Sequence, residues 1–360
     1  MRVAIAWNGL PFYAARLIRA GIEQVEVPVD VIGSRPSVPI EGMEEELGQP
    51  IHWMDNEEAR SWEDMGLPVP DLFIHTGWRY KGFNTLGREA RGNGGRVVSM
   101  IDNRWKNSVR QWVGALVFRV WYRRWFDAVW VPGASGRQLC RVFGMPDSDI
   151  YEGMYGADPE VYPKGPPLPQ REKTMLFVGQ LIPRKNIDRL IEAFQRFRRN
   201  HLDWTLRIVG EGKESVSEEE PGIEVEGFLQ PEDIAERMRQ SRFLVLPSRE
   251  DHWGLVVHEA ALSGCGLIVS DNVGAGADLV TPENGFVHRA SSRDALEEAM
   301  REGASKSRDW LERVTERSRE LATNFGPKVW GKTFEEIVNE YSPSGLNEQA
   351  SVDGESQAHL

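Results

Sequence analysis

The feature that most limits the fold is an alternation of short apolar runs with helical patterns, which stops once and then restarts. Apolar runs at 3–6, 72–75, 97–101 and 128–131 are each followed by a loop and a candidate helix. A second series follows at 174–178, 204–209, 223–225, 243–246 and 267–270. Strands that are apolar throughout must be covered on both faces, so the alternation predicts parallel sheets with helices on either side. In the first helix of the second series, Ile187, Leu190, Ile191, Phe194 and Phe197 recur on one face. Between the two series lie Pro159, Pro163, Pro166, Pro167 and Pro169. A stretch so rich in proline forms neither helix nor central strand, and it reads as a linker.

The expected class is therefore α/β, with two Rossmann-like domains over 1–165 and 166–325. A helix over 326–341 is expected to pack back on the first domain. The polar residues 342–360 have little to bury and read as a disordered tail. A length of 360 residues suits two domains. The formal net charge of −12 speaks against a general nucleic-acid binder. Cys140 and Cys265 stand far apart and fit neither a disulfide framework nor a cysteine metal site. The first residues read as a strand rather than a signal peptide, and no run of about 18 apolar residues occurs. These readings predict a cytoplasmic protein.

In an open parallel sheet, ligands bind outside the carboxyl ends of the strands. The richest such loop runs from Pro247 through Asp251, Trp253, Gly254 and Leu255 to Glu259. A strand ends at Pro247 and a helix is predicted from Gly254. The free N–H groups and dipole at that start form an anion site able to take a diphosphate without a metal. Asp251 and Glu259 are placed to hold hydroxyls at opposite ends of a nucleotide sugar. On spacing alone they fit equally well as a helix cap and a solvated helix carboxylate.

This segment resembles the E-x7-E region of the family 4 retaining glycosyltransferases, whose GT-B fold sets two parallel sheets facing across a cleft. Asp251 stands at the first acidic position, usually Glu, and Glu259 at the second. Gly179-Gln180-Leu181-Ile182-Pro183-Arg184-Lys185 is similar to the family's G-R-L-x-x-x-K-G loop, with Gln180 where arginine is usual. The resemblance makes Lys185 a diphosphate ligand, while Arg184 either supplies the second charge or points to solvent. Gly210 falls in the loop lining the nucleotide, and Phe228 falls where backbone usually reads the base. The resemblance implies a nucleoside-diphosphate-sugar donor, and as acceptor a glycan or lipid-linked acceptor, with surface-glycan synthesis as the setting. A nucleotide-sugar epimerase or a noncatalytic scaffold on the same fold remain alternatives.

The first domain offers less. Gly9, after the first strand, either lets backbone approach the donor or makes an ordinary turn. Many family members bring a histidine to the cleft from this domain. Asp102 stands near that position, and His75 is a second candidate there or else a strand-end core histidine. From Arg104 to Trp130 the charge reverses: Lys106, Arg110, Arg119, Arg123 and Arg124 alternate with Trp105, Trp112, Trp121 and Trp125. That mixture suits either an anionic membrane surface, making the protein peripheral there, or a packed helix with paired arginines. Asp147-Ser148-Asp149 spells a metal-binding D-x-D but follows Pro146 and reads as a turn, so no metal is expected.

Overall fold

The computed structural model describes residues 1–34, 42–54, 60–214, 216 and 220–342. It divides into two compact units: Met1–Gly156 with the chain from Pro327 onward, and Ala157–Gly326. Of the expected tail, 343–360 lie outside the described residues.

The first unit contains β1 (Val3–Trp7), α1 (Phe12–Ile22), β2 (Val29–Gly33), α2 (Met43–Leu47), β3 (Ile51–Trp53), β4 (Leu72–Thr76) and α3 (Lys81–Gly92). There follow β5 (Arg96–Met100), α4 (Val109–Val117), β6 (Ala128–Trp130), α5 (Ala134–Val142) and β7 (Ile150–Tyr151). The strands form a parallel sheet in the order β3-β2-β1-β4-β5-β6-β7. Successive side chains alternate between two cores. Ile5, Leu72 and Ile74 face one core with Leu17 of α1, while Ala4, Phe73 and Val97 face the other with Phe83 and Leu86 of α3.

The C-terminal helix, Pro327–Glu340, completes the first core. Its Trp330 is fully buried and lies 4.6 Å from the ring of Trp130. Gly21 of α1 makes the space, because a β-carbon there would come within 2.4 Å of the Trp330 ring. The helix thus docks through one large side chain seated over one missing one.

The second unit contains β8 (Glu172–Val178), α6 (Ile187–Arg198), β9 (Thr205–Val209), β10 (Ile223–Glu226), α7 (Pro231–Gln240), β11 (Ser241–Leu246) and α8 (Leu255–Leu262). It ends with β12 (Gly266–Ser270), α9 (Gly276–Leu279), β13 (Gly285–His288), α10 (Arg293–Ser305) and α11 (Arg308–Ala322). Its sheet is again parallel, in the order β10-β9-β8-β11-β12-β13.

The proline-rich stretch does not behave as a linker. The units divide at Gly156/Ala157, ahead of it, rather than at 165/166. Leu168 is fully buried, and the half-turn Leu168–Gln170 leads straight into β8. The buried Arg171 donates to the carbonyls of Pro166, Met238, Ser241 and Ser263, which ties the stretch to α7, β11 and α8. Proline forbids regular structure here but does not forbid packing.

Candidate functional site

In the second unit, the loops after β8, β9, β11 and β12 converge at the carboxyl end of the sheet. Glycine makes the convergence possible. Gly210 has φ +140°, and a β-carbon on it would sit 2.0 Å from the carbonyl oxygen of Gly179. A β-carbon on Gly274 would sit equally close, 2.0 Å, to the carbonyl oxygen of His252. No larger residue fits where two backbones lie in contact.

Hydrogen bonds fasten these loops together. The N–H of Leu181 donates to the carbonyl of Glu211 at 2.8 Å, and that of Arg249 to the carbonyl of Arg184 at 2.7 Å. The Asp251 N–H donates to the carbonyl of Asn272 at 3.0 Å, and the Gly274 N–H returns a bond to the Asp251 carbonyl at 3.1 Å. Asn186, in the left-handed region at φ +65°, donates from its amide to the Pro247 carbonyl at 3.1 Å and accepts from Arg249 at 3.0 Å. Asparagine tolerates that backbone conformation better than most residues. Its place directly after Lys185 was the signal for it, and reading the sequence alone missed it.

These loops bring Lys185, Asp251 and Glu259 together. The Lys185 side chain reaches back beside Gly179, and its Nζ lies 2.6 Å from Oδ2 of Asp251 in a buried ion pair. Arg184 is exposed; it donates to the Glu250 carbonyl at 3.2 Å and approaches Asp251 at 3.8 Å. Gly254, at φ +86°, precedes α8, and no side chain caps the first-turn N–H groups, which begin at Leu255.

Glu259 lies one helix face further on. Part of the residue remains exposed, yet its carboxyl lies deep enough that burial pushes its pKa up to about 7, against the opposing pull of a hydrogen bond from Tyr162 and the charge of Lys185. Its neighbour His258 is fully buried. There Nδ1 accepts from the Ala157 N–H at 2.8 Å and Nε2 donates to the Ala322 carbonyl at 2.9 Å. Burial lowers its pKa to about 4, so it is a neutral clamp joining the first and last segments of the second unit. Neither Tyr162 nor His258 announces these partners in the sequence, because the partners lie far along the chain.

The remaining second-unit candidates divide between surface and core. Gln180 and Phe228 are exposed, and the Phe228 N–H donates to Glu211 at 3.3 Å. Trp253 is buried against Phe325 at 5.1 Å.

In the first unit the candidates separate. Gly9, at φ +57°, opens the turn after β1, and its N–H donates to the Ser34 hydroxyl at 2.6 Å. Asp102, just past β5, accepts from the Tyr155 hydroxyl at 3.4 Å and lies near Tyr80. Burial foremost raises the Tyr155 pKa well above its ordinary value, so this hydroxyl stays protonated and donates. His75 does not join them. It follows Phe73 onto the α3 face of the sheet, is fully buried, and packs on Phe73, Phe83 and Phe126. The pleat of β4 decides this, since alternate residues must face opposite cores.

The D-x-D is a turn, Asp147–Asp149. Arg141 grips Asp147 through two nitrogens at 2.6 and 3.0 Å, and Arg123 reaches Asp149 at 3.3 Å. Along 104–130 the tryptophans are not all core: Trp112 and Trp121 are more than half exposed. Among the described residues, no helix is long and apolar enough to cross a membrane.

Residues 159–321 match the family described as Glycosyl transferases group 1. Over these residues the chain is similar to the group 1 glycosyltransferases. An uncharacterised glycosyltransferase of Methanocaldococcus jannaschii is 29% identical over 134 residues, covering 35% of this chain and 37% of that protein. Glycogen synthase of Mycobacterium tuberculosis is 28% identical over 175 residues, covering 46% of this chain and 42% of the relative. The chain thus spans less than half the length of these two curated relatives. The solved structure of Anabaena HepE in complex with UDP superposes with a TM-score of 0.72 at 14% identity, over 94% of this chain and 100% of that one. A glycosyltransferase of Rickettsia africae gives 0.72 at 12% identity, over 94% and 98%. Both likenesses concern the fold: two parallel-sheet α/β units, as in GT-B glycosyltransferases.

Proposed function

We propose that this group 1 module works in a metal-independent, retaining glycosyltransferase that moves a sugar from a nucleoside-diphosphate donor to a glycan or lipid-linked acceptor. The observation that carries the reading is the convergence of Lys185, Asp251 and Glu259 beside the uncapped start of α8. Negative charge grows on the departing diphosphate as the glycosidic bond breaks. Lys185 and the first-turn N–H groups of α8 stabilise that charge from fixed positions, which favours the transition state over the ground state. Arg184 adds charge from the rim. Glu259 accepts from the ribose hydroxyls and Asp251 from the hydroxyls of the donor sugar. The first unit takes the acceptor at its own strand ends, where Asp102 and Tyr155 are paired.

The same reading places the protein on an anionic membrane surface. Val109, Trp112, Val113 and Leu116 recur at three- and four-residue spacing on α4, and all are exposed, Val109 at 81% and Leu116 at 63%. Such an apolar face, with the exposed Arg110 on the same helix, fits an interfacial helix. Flotation should carry the protein with phosphatidylglycerol vesicles and not with phosphatidylcholine vesicles. Absence from both fractions would remove the membrane from the proposal.

The central test is thermal shift with UDP, GDP and ADP in EDTA, followed by transfer assays with the corresponding sugars and NMR of the product anomer. A shift with one nucleotide and a product of retained configuration are expected. No shift with any of the three, or activity abolished by EDTA, would overturn the reading. Conversion of donor incubated alone would point to an epimerase.

A further inference from the structure

A cavity of about 290 Å³ opens in the first unit between α3 and the turns that follow α4, on the face of the sheet that His75 occupies. Its floor is His75, Gly87 and Val97, and its wall is Tyr122 and Trp125. Arg79, Lys81 and Arg88 line its mouth, all exposed. No ion pair engages these cations among the described residues. Arg88 is nevertheless held in place: its Nε donates to the Asn84 carbonyl at 3.1 Å, and its guanidinium lies 5.9 Å from the Trp125 ring centre. In a chain of net charge −12, a cluster of cations without carboxylate partners calls for an anion.

The floor adds a second requirement. Nδ1 of His75 faces the Thr76 carbonyl at 3.3 Å, and a carbonyl can only accept, so Nδ1 carries the proton. That leaves Nε2 a bare acceptor, fully buried and without a hydrogen-bond partner. Burial lowers the ring pKa to about 4, which keeps it neutral at physiological pH. A buried acceptor left unmatched is costly and is normally satisfied. A group that completes it must donate, as a hydroxyl does and an ionised phosphate does not. Gly87 stands beside it, since a β-carbon there would lie 3.8 Å from Nε2.

We infer that this cavity binds a phosphorylated polyol, with the phosphate at Arg79, Lys81 and Arg88 and a hydroxyl donating to Nε2 of His75. Two sources share that chemistry: a free sugar or glycerol phosphate, and the headgroup of a phosphatidylglycerol-like lipid. The site is built from first-unit residues alone and stands whether or not the proposed transferase activity is correct.

Isothermal titration with glycerol 3-phosphate and glucose 6-phosphate tests it, with glycerol and inorganic phosphate as controls. Both phosphorylated polyols should bind at least tenfold more tightly than either control. The double variant Lys81→Ala, Arg88→Ala should lose binding by tenfold or more. Gly87→Ala fills the floor at ordinary contact distances of 3.5–3.8 Å, so the fold and its Tm should be kept while binding falls. Lys185→Ala should bind as the parent does. Failure of both polyol phosphates to bind, undiminished binding by Gly87→Ala, or loss of binding in Lys185→Ala would each overturn the inference. Vesicle flotation of the double variant identifies the source. Reduced binding to phosphatidylglycerol vesicles assigns the cavity to the headgroup, and unchanged flotation with lost glycerol 3-phosphate binding assigns it to the free phosphate.

Discussion

The carboxyl ends of the two sheets are built on opposite principles. In the second unit, backbone presses on backbone: Gly210 against Gly179, Gly212 against Leu181, Gly274 against His252, with loop-to-loop hydrogen bonds at each contact. In the first unit the corresponding turn is open, and a β-carbon on Gly9 would meet nothing within 4 Å. Its candidate polar groups, Asp102 and Tyr155, meet through side chains at 3.4 Å. A site stabilising charge on a leaving group gains from fixed dipoles, because they need no reorganisation as the charge develops. On the proposed reading, a first-unit site for the acceptor needs no such fixed dipoles.

The comparison can be broken most sharply at Lys185. Lys185→Ala removes a buried cation of the second-unit site and leaves the buried Asp251 with only the distant, exposed Arg184 at 3.8 Å among the described residues. Transfer measured as kcat/KM should fall by about 10²–10³-fold, the range seen when a single charge-stabilising donor is removed, while Asp102→Ala should cost less. Equal losses would erase the distinction between the ends.

Rigidity itself is tested by alanine at two glycines. Gly210→Ala meets a carbonyl oxygen at 2.0 Å with φ at +140°, and denaturant melts should show a loss of several kcal/mol, about 2–4. Gly9→Ala, at φ +57° in open space, should cost only about 1 kcal/mol.

A smaller effect concerns pH. The Glu259 carboxyl is raised from 4.5 to about 7. The folded state therefore binds a proton that the unfolded state releases, and this group's contribution to stability is lost as pH rises from about 4.5 through 7. Nucleotide binding should move the other way. The proposed ribose contact needs the carboxylate, which predominates above pH 7, so affinity by titration should rise several-fold between pH 6 and 8. Glu259→Gln should flatten that profile, and an unchanged profile would detach Glu259 from the ribose.

The smallest effect on stability belongs to the first unit's apolar helix face. Val113→Asp with Leu116→Asp should abolish vesicle binding while shifting stability by no more than about 0.5 kcal/mol, because both side chains are exposed.

Much of this was legible in the chain. Unbroken apolar strands such as 3–6 and 267–270 announce burial on both faces. Lys185, Asp251 and Glu259 stand out because a short loop or helix start fixes their neighbourhood. Shorter or interrupted strands were not legible: β3, β7 and the β2 run Val-Asp-Val-Ile-Gly carry too little pattern. Nor was the second role of proline, which at 159–169 excludes regular structure while the buried Arg171 makes the stretch part of a domain.

The sequence by itself determined the two parallel sheets, a helix near 327–340, and the loop positions that carry charge, since each follows from local periodicity or from a glycine or proline at a fixed offset. Only the tertiary structure decided which partners those residues meet. The Lys185–Asp251 pair, the Tyr162 bond to Glu259, the His258 clamp and the seat of His75 all join positions distant in the chain. A side chain's charge is written in its type, but its partner, and with it its pKa and its role, depends on which elements the packed core brings to its side.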